Sequence, residues 1–284
     1  MLSKTAGHVP PSPEPAAGMI PDVVPPLPRE SRFARHLPAS APLGWLKAGW
    51  RDFRTAPLPS LAYGLAVAAL SVLIVWALIR LRLDYVIFPA LAGFMVLGPL
   101  VAQGLYEKSR RLASGEAVGL MRMILIRPRA GYQAVFMGVL LLGLFLLWLR
   151  AAVLLYALFF GLRPFPGGAE LISVLIFTPT GWALLVTGSL VGALFAGFAF
   201  AISVFAAPML LSERIDALSA MGISMAAVWA NLAVMLIWGA IVVALVVLAL
   251  ATAGLGLVVV FPVLGHATWH AYRQVAPLPL GKAV

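Results

Sequence analysis

The sequence predicts an all-α fold: a polytopic integral membrane bundle of six transmembrane helices in three hairpins, with short cytoplasmic amphipathic surface helices. Three observations carry this expectation. Of 284 residues, 62% are hydrophobic and only 11% charged, too few polar groups to cover the surface of a soluble domain. The apolar residues gather into runs close to the roughly 20 residues that cross a bilayer. The basic residues cluster in alternate connections between those runs, as they do in membrane proteins with a cytoplasmic face.

The first 42 residues hold ten prolines, from Pro10 to Pro42, a density that breaks helices and buries little apolar surface. Residues 1–42 are therefore expected to be a disordered Pro-rich cytoplasmic tail. They lack the apolar core and small-residue cleavage site of a signal peptide, so the first membrane helix is expected to act as an uncleaved anchor. The membrane domain spans 43–275, and 276–284 form a short C-terminal tail.

Within that domain the apolar runs lie near 59–79, 85–105, 134–160, 182–207 and 229–250, with a shorter, more polar sixth run from Gly254 to Tyr272. Runs five and six are joined by Ala251 to Gly256, which has two glycines and no charge, and are expected to form a tight hairpin. Runs one and two share only the brief connection Arg80 to Asp84.

Orientation follows from the Lys and Arg count. The N-terminal segment carries seven (Lys4, Arg29, Arg32, Arg35, Lys47, Arg51, Arg54) and the second loop six (Lys108, Arg110, Arg111, Arg122, Arg127, Arg129). Arg214, Arg273 and Lys282 bring that side to sixteen, against Arg80, Arg82 and Arg163 opposite. Both termini are thus expected in the cytoplasm. The formal charge of +10 then points to anionic lipid headgroups, with a protein partner as an alternative, and not to nucleic acid.

A threefold internal pattern accompanies this. Before run one, Leu46, Trp50 and Phe53 fall on one helical face and Lys47, Arg51 and Arg54 on another, as in a helix lying on a membrane surface. Leu120, Met123, Ile124 and Arg127 continue that theme before run three. Ile215, Leu218 and Met225 do so before run five, facing away from Glu213 and Asp216. Each even-numbered helix carries a proline toward its cytoplasmic part: Pro99, Pro208 and Pro262.

Four segments are more specific: GWRDFRTAPLPSLAYG (Gly49–Gly64), GPLVAQGLYEKSRRL (Gly98–Leu112), SVFAAPMLLSERIDALSAMGIS (Ser203–Ser224) and FPVLGHATWHAYR (Phe261–Arg273). They resemble a family of bacterial integral membrane proteins catalogued as domain of unknown function 2189, over about residues 43–275. The resemblance implies a bacterial inner (plasma) membrane location and no defined activity. Some members of that family carry a cytochrome oxidase subunit label, and this sequence does not fit it. A haem-copper catalytic subunit needs about six histidine ligands, whereas this chain has four histidines, of which His8 and His36 lie in the tail.

His266 and His270 are four residues apart and share a helical face, which allows one metal ion or separate haems. Ligands on one face suit a bis-histidyl haem poorly. The alternative uses His266 and His270 in packing, with Trp269, Tyr272 and Arg273 as an aromatic and cationic belt at the membrane surface. Trp50, Arg51, Arg54, Arg110 and Arg111 are the other expected lipid-facing residues. Arg150, inside run three, is either deep and paired with Glu170 or Asp84, or snorkels to the outer headgroups. Gly188 and Gly192 form a GxxxG pair, and Ser189, Ala193, Gly197 and Ala201 recur every four residues. Such spacing lets helices approach closely, within the chain or between subunits. Gln103 and Asn231 are expected to bridge helices near their cytoplasmic ends.

Catalytic groups are scarce. Asp52, Glu107, Glu213 and Asp216 all lie in basic segments, where ion pairing at the headgroups accounts for them. No acidic residue lies mid-membrane, which speaks against a carboxylate-based proton-coupled carrier. The sequence has no phosphate-binding glycine loop, HExxH or GxSxG. With no cysteine, thiol nucleophiles and thiolate metal sites are excluded. No catalytic residue and no cofactor is expected. The leading expectation is a non-enzymatic structural or accessory membrane component. A small-solute carrier, or a metal or haem protein using His266 and His270, is the alternative.

Overall fold

Apolar runs free of glycine–proline punctuation satisfy their backbone polar groups internally only as helices, and a computed structural model of the chain follows that rule. It describes residues 33–83, 86–116, 118–161 and 168–275, and among them there is no strand. The expectations for residues 1–32, for Asp84 and Arg163, and for the tail 276–284 lie outside the described residues.

The helices are α1 (Ala41–Thr55), α2 (Pro57–Arg80), α3 (Ile87–Val101), α4 (Gln103–Ala113), α5 (Leu120–Ile124), α6 (Gln133–Phe160), α7 (Gly168–Phe177), α8 (Pro179–Ser203), α9 (Ala206–Ser212), α10 (Ala217–Ala230), α11 (Leu232–Ala251) and α12 (Leu257–Val275). Among the described residues, four stretches are long and apolar enough to cross a membrane: α2, α6, α8 with α9, and α11. The apolar α10 is shorter. The second run folds as the 15-residue α3 followed by α4. The sixth folds as α12, whose residues from Phe261 to Trp269 are all buried.

α12 is the organising element. It packs along α1 and α2 and also touches α4, α9 and α11. Glycines allow close approach of α12 to both α1 and α2. A Cβ on Gly49 would stand 2.6 Å from the Ala267 nitrogen, and one on Gly64 would stand 2.2 Å from the Val258 oxygen. Trp45 meets Trp238 of α11 edge to face at 5.8 Å, which ties α1 to the same core.

This packing corrects the expected faces of α1. The buried side carries Trp45, Gly49, Asp52 and Phe53, because it is the glycine side that α12 covers. Trp50 stays 44% exposed, beside the exposed Lys47, Arg51 and Arg54. Trp269 and Tyr272 are also corrected. They are 3% and 5% exposed, packed on each other at 5.4 Å inside the protein and not in a belt around it. Arg273 is exposed.

Two helices are interrupted near their ends. α3 gives way to α4 at Ala102, three residues after Pro99, and the Tyr63 hydroxyl donates to the Val101 carbonyl there at 2.6 Å. α8 gives way to α9 at Val204 and Phe205, where Pro208 cannot donate to the Val204 carbonyl. The Ser224 hydroxyl of α10 serves this second break. It donates to the Ala201 carbonyl at 2.7 Å and accepts from the Phe205 N–H at 3.1 Å.

The small-residue stripe of α8 is mostly turned outward. Gly192 faces the Trp148 ring at 3.1 Å, but Gly188 and Gly197 have nothing within 4 Å of where a Cβ would stand. Ser189 and Ala193 are exposed. Arg150 also stands exposed on α6. Asn231, at the α10–α11 junction, is expected to bridge helices and instead ties in the chain ahead of α1. Its bonds run to its own helix and to the segment before α1, not from helix to helix: it donates to the Phe33 and Ala227 carbonyls, both at 2.8 Å, and accepts from the Arg35 N–H at 3.0 Å. Residues 33–35, which the sequence places in the tail, are thereby held against the bundle.

Candidate functional site: a buried polar chain

Where the ends of α1, α2, α4 and α12 meet, six polar side chains converge in an otherwise apolar core. The break at Ala102 aims α4 so that Lys108 and Ser109 point inward, with 0% and 1% exposure. The N-terminal turn of α2 supplies Ser60, α1 supplies Asp52, and α12 supplies His266 and His270. Ser60 and His266 are both fully buried.

Hydrogen bonds link Lys108, Ser60, His266 and Ser109 in a row, and the Asp52–His270 pair stands at its end. Lys108 Nζ donates to Ser60 Oγ at 2.7 Å and to the Ala56 carbonyl. Ser60 Oγ lies 2.9 Å from His266 Nε2. His266 Nδ1 lies 2.8 Å from Ser109 Oγ and 3.1 Å from the Leu105 carbonyl. The Ser109 hydroxyl helps to hold the nearby Asp52 carboxyl down, and Asp52 pairs with His270 Nε2 at 2.8 Å. A tautomer with the hydrogen on Nδ1 satisfies every link: Ser60 donates to Nε2, and Nδ1 donates toward Leu105 and Ser109.

The electrostatics match that direction. Burial pulls the Lys108 ammonium down to about 8, against the opposing pull of the Asp52 charge. At the other end, burial would raise the Asp52 carboxyl, but the hydrogen bonds of His270 and Ser109 outweigh it and hold it below its usual range. A cation and an anion thus terminate a polarised row of hydroxyl, imidazole and hydroxyl. Such an arrangement pins four helix ends together, because leaving any one member unpaired in the core is unfavourable.

Several sequence expectations change here. Asp52 is a buried partner of His270, not a headgroup ion pair. Lys108, counted with the basic cytoplasmic loop, is fully buried. Glu107 does pair with arginines, accepting from Arg110 at 2.8 Å and from Arg111. Those bonds hold its carboxyl below the usual range in spite of burial. Arg110 and Arg111 are thereby engaged with a carboxylate, and Arg111 also reaches Glu116 at 2.8 Å. His266 and His270 share a helix face but have different partners. Among the described residues, no three His, Cys, Asp or Glu side chains gather as a metal site would require.

Sequence reasoning did not single out Ser60, Lys108 or Ser109. A signal was present: each lies inside one of the distinctive segments, Ser60 in Gly49–Gly64 and the other two in Gly98–Leu112. His266 lies in a third.

No curated protein and no solved structure matches the chain. The family match is narrower than the four segments, taking in Gly98–Leu112 and the first part of Ser203–Ser224. Residues 87–212, from the start of α3 to the end of α9, match the family model described as predicted integral membrane protein (DUF2189), so that, with four helices of membrane-crossing length among the described residues, the chain is an integral membrane protein similar to that family over this stretch.

Proposed function

We propose that the protein is a non-enzymatic component of the bacterial inner membrane, with six spans and both termini in the cytoplasm, whose basic cytoplasmic face binds anionic lipid headgroups. The observation that carries this reading is the outward side of α1, where Lys47, Trp50, Arg51 and Arg54 are exposed together. That side combines an interfacial aromatic with cations, the chemistry of a helix lying at a charged membrane surface. The lopsided distribution of Lys and Arg supports the orientation. The absence of cysteine makes it directly testable, since single cysteines placed at Ser40 and Thr252 should react with membrane-impermeant maleimide from opposite sides.

Binding is tested with protein in phosphatidylcholine nanodiscs presented to phosphatidylglycerol vesicles. Replacing Arg51 and Arg54 with Gln should weaken tethering about thirtyfold, at roughly 1 kcal/mol per surface cation. The same change at Arg110 and Arg111 should do less, because Glu107 already neutralises part of their charge. Unchanged tethering in the Arg51/Arg54 variant would sink the lipid reading and leave a protein partner for that face.

The two interrupted helices support a second reading, a carrier for a small apolar or anionic solute, because broken helices expose backbone polar groups to a central site. Solute uptake no faster in proteoliposomes than in empty vesicles would count against it. His266 is engaged by Ser60 and Ser109, and His270 by Asp52. Neither ring is therefore proposed as a metal or haem ligand, and metal analysis of the purified protein checks this.

A further inference from the structure

Beside the break between α3 and α4 runs a groove of about 470 Å³, open along one side, with Leu100 and Gln103 on one wall and α6 on the other. Ala134, Gly138 and Leu142 form successive turns of the α6 wall, with Val135 and Val139 along the rim. From Ala134 to Leu142 the groove follows about 12 Å of helix, close to the roughly 15 Å of one leaflet's hydrocarbon.

Two features point to an occupant. Gln103 Nε2 is buried yet has no hydrogen-bond partner among the described residues, although the sequence predicts that Gln103 bridges helices. A buried amide donor without an acceptor is unfavourable, and Gln103 lines the groove wall. At the groove's end Pro128 is flanked by Arg127 and Arg129, both exposed. Apolar length, then a hydrogen-bond donor, then paired cations is the order of groups in an anionic phospholipid read in reverse: acyl chain, ester carbonyl, phosphate.

We infer that this groove binds one anionic glycerophospholipid of the cytoplasmic leaflet, with an acyl chain against α6, an ester carbonyl on the Gln103 amide and the phosphate between Arg127 and Arg129. The inference rests on the orientation and lipid-binding reading above, but it names a separate, stoichiometric site.

The test uses the full chain in nanodiscs containing a phosphatidylglycerol or a phosphatidylcholine whose acyl chain carries a diazirine. After illumination, the labelled peptides are mapped. The expected result is phosphatidylglycerol label concentrated at 134–142, about thirtyfold above the phosphatidylcholine label, as two cations at the headgroup would give. Gln103→Leu combined with Arg127→Gln and Arg129→Gln should erase that preference. Val139→Trp, at a rim position 60% exposed, should displace the lipid from the groove. Val153→Trp, farther along α6 at 48% exposure, should leave the label in place and serves as the folding control. Equal labelling by the two lipids, label that survives Val139→Trp, or label no denser than on the exposed Leu190 and Leu194 of α8 would each overturn the inference. The Arg51/Arg54 variant separates the two readings: lost vesicle tethering with retained groove label means that both sites exist. Unaltered tethering with retained label removes only the α1 surface, and Arg-dependent tethering without groove label removes only the groove.

Discussion

Lys108 Nζ donates to Ser60 Oγ at 2.7 Å from a side chain with no exposed surface. A buried ammonium beside a hydroxyl and a carbonyl holds its proton less tightly than in the unfolded chain, about 8 against an ordinary 10.5. The folded protein therefore sheds this proton before the unfolded chain does. Stability should rise with pH between about 8 and 10.5 and should carry the full burden of the buried charge below 8. Thermal unfolding in detergent across that range measures it. Lys108→Met should flatten the rise, and an unchanged slope would show that Lys108 is not its source.

At the opposite end of the chain, Asp52 and His270 join α1 to the last turn of α12. Both side chains are largely buried, at 10% and 24% exposure, so the pair is screened little. A double-mutant cycle with Asp52→Asn and His270→Ala should return a coupling of about 1–2 kcal/mol near neutral pH. The sign with pH follows from the lowered Asp52 carboxyl. Its contribution is complete above the ordinary value of 3.8 and is lost as pH falls through the lower folded value. Additive single mutants at pH 6 would show that the pair only happens to be close.

Much of this architecture is legible in the sequence because run length and helix type follow from hydropathy alone. The runs at 59–79 and 134–160 agree with α2 and α6 within two residues at every end. The polar chain is not legible in the same way. Lys108 is followed by Arg110 and Arg111 and reads as one more headgroup cation. Only the turn at Ala102, which depends on Tyr63 from another helix, rotates Lys108 inward. Asp52 is hidden similarly: its burial is set by Gly49, one turn away, meeting α12 more than 200 positions later. Periodicity within a segment carries no information about which face a distant helix will cover. The buried α12 is the clearest instance, since Trp269 and Tyr272 read as an interfacial belt until their neighbours are known.

The glycines separate seam from surface. Gly49→Ala and Gly64→Ala each place a methyl group under 3 Å from backbone atoms of α12, which cannot move without shifting the whole helix. Each should lower stability by about 1–3 kcal/mol. Gly188→Ala and Gly197→Ala meet open space and should be neutral or stabilise by up to about 1 kcal/mol through helix propensity. Melting temperatures of the four variants in one detergent settle the contrast. Destabilisation at Gly188 or Gly197 would instead reveal a subunit contact along that stripe.

Ser224 offers the sharpest test of the broken helix. Its hydroxyl satisfies an acceptor at Ala201 and a donor at Phe205, the two groups left over when α8 stops short of α9. Ser224 has no exposed surface, and no solvent is at hand to replace it. Ser224→Ala should therefore lower stability by about 1–3 kcal/mol, well beyond the loss of a single oxygen's packing. Tyr63→Phe at the other break removes one bond from a more exposed carbonyl and should have a smaller effect. If the break is structural only, both variants lose stability and leave solute permeability of proteoliposomes unchanged. If it lines a transport path, Ser224→Ala alters uptake at temperatures where the protein is still folded, because the freed Phe205 N–H and Ala201 carbonyl then face the path unpaired.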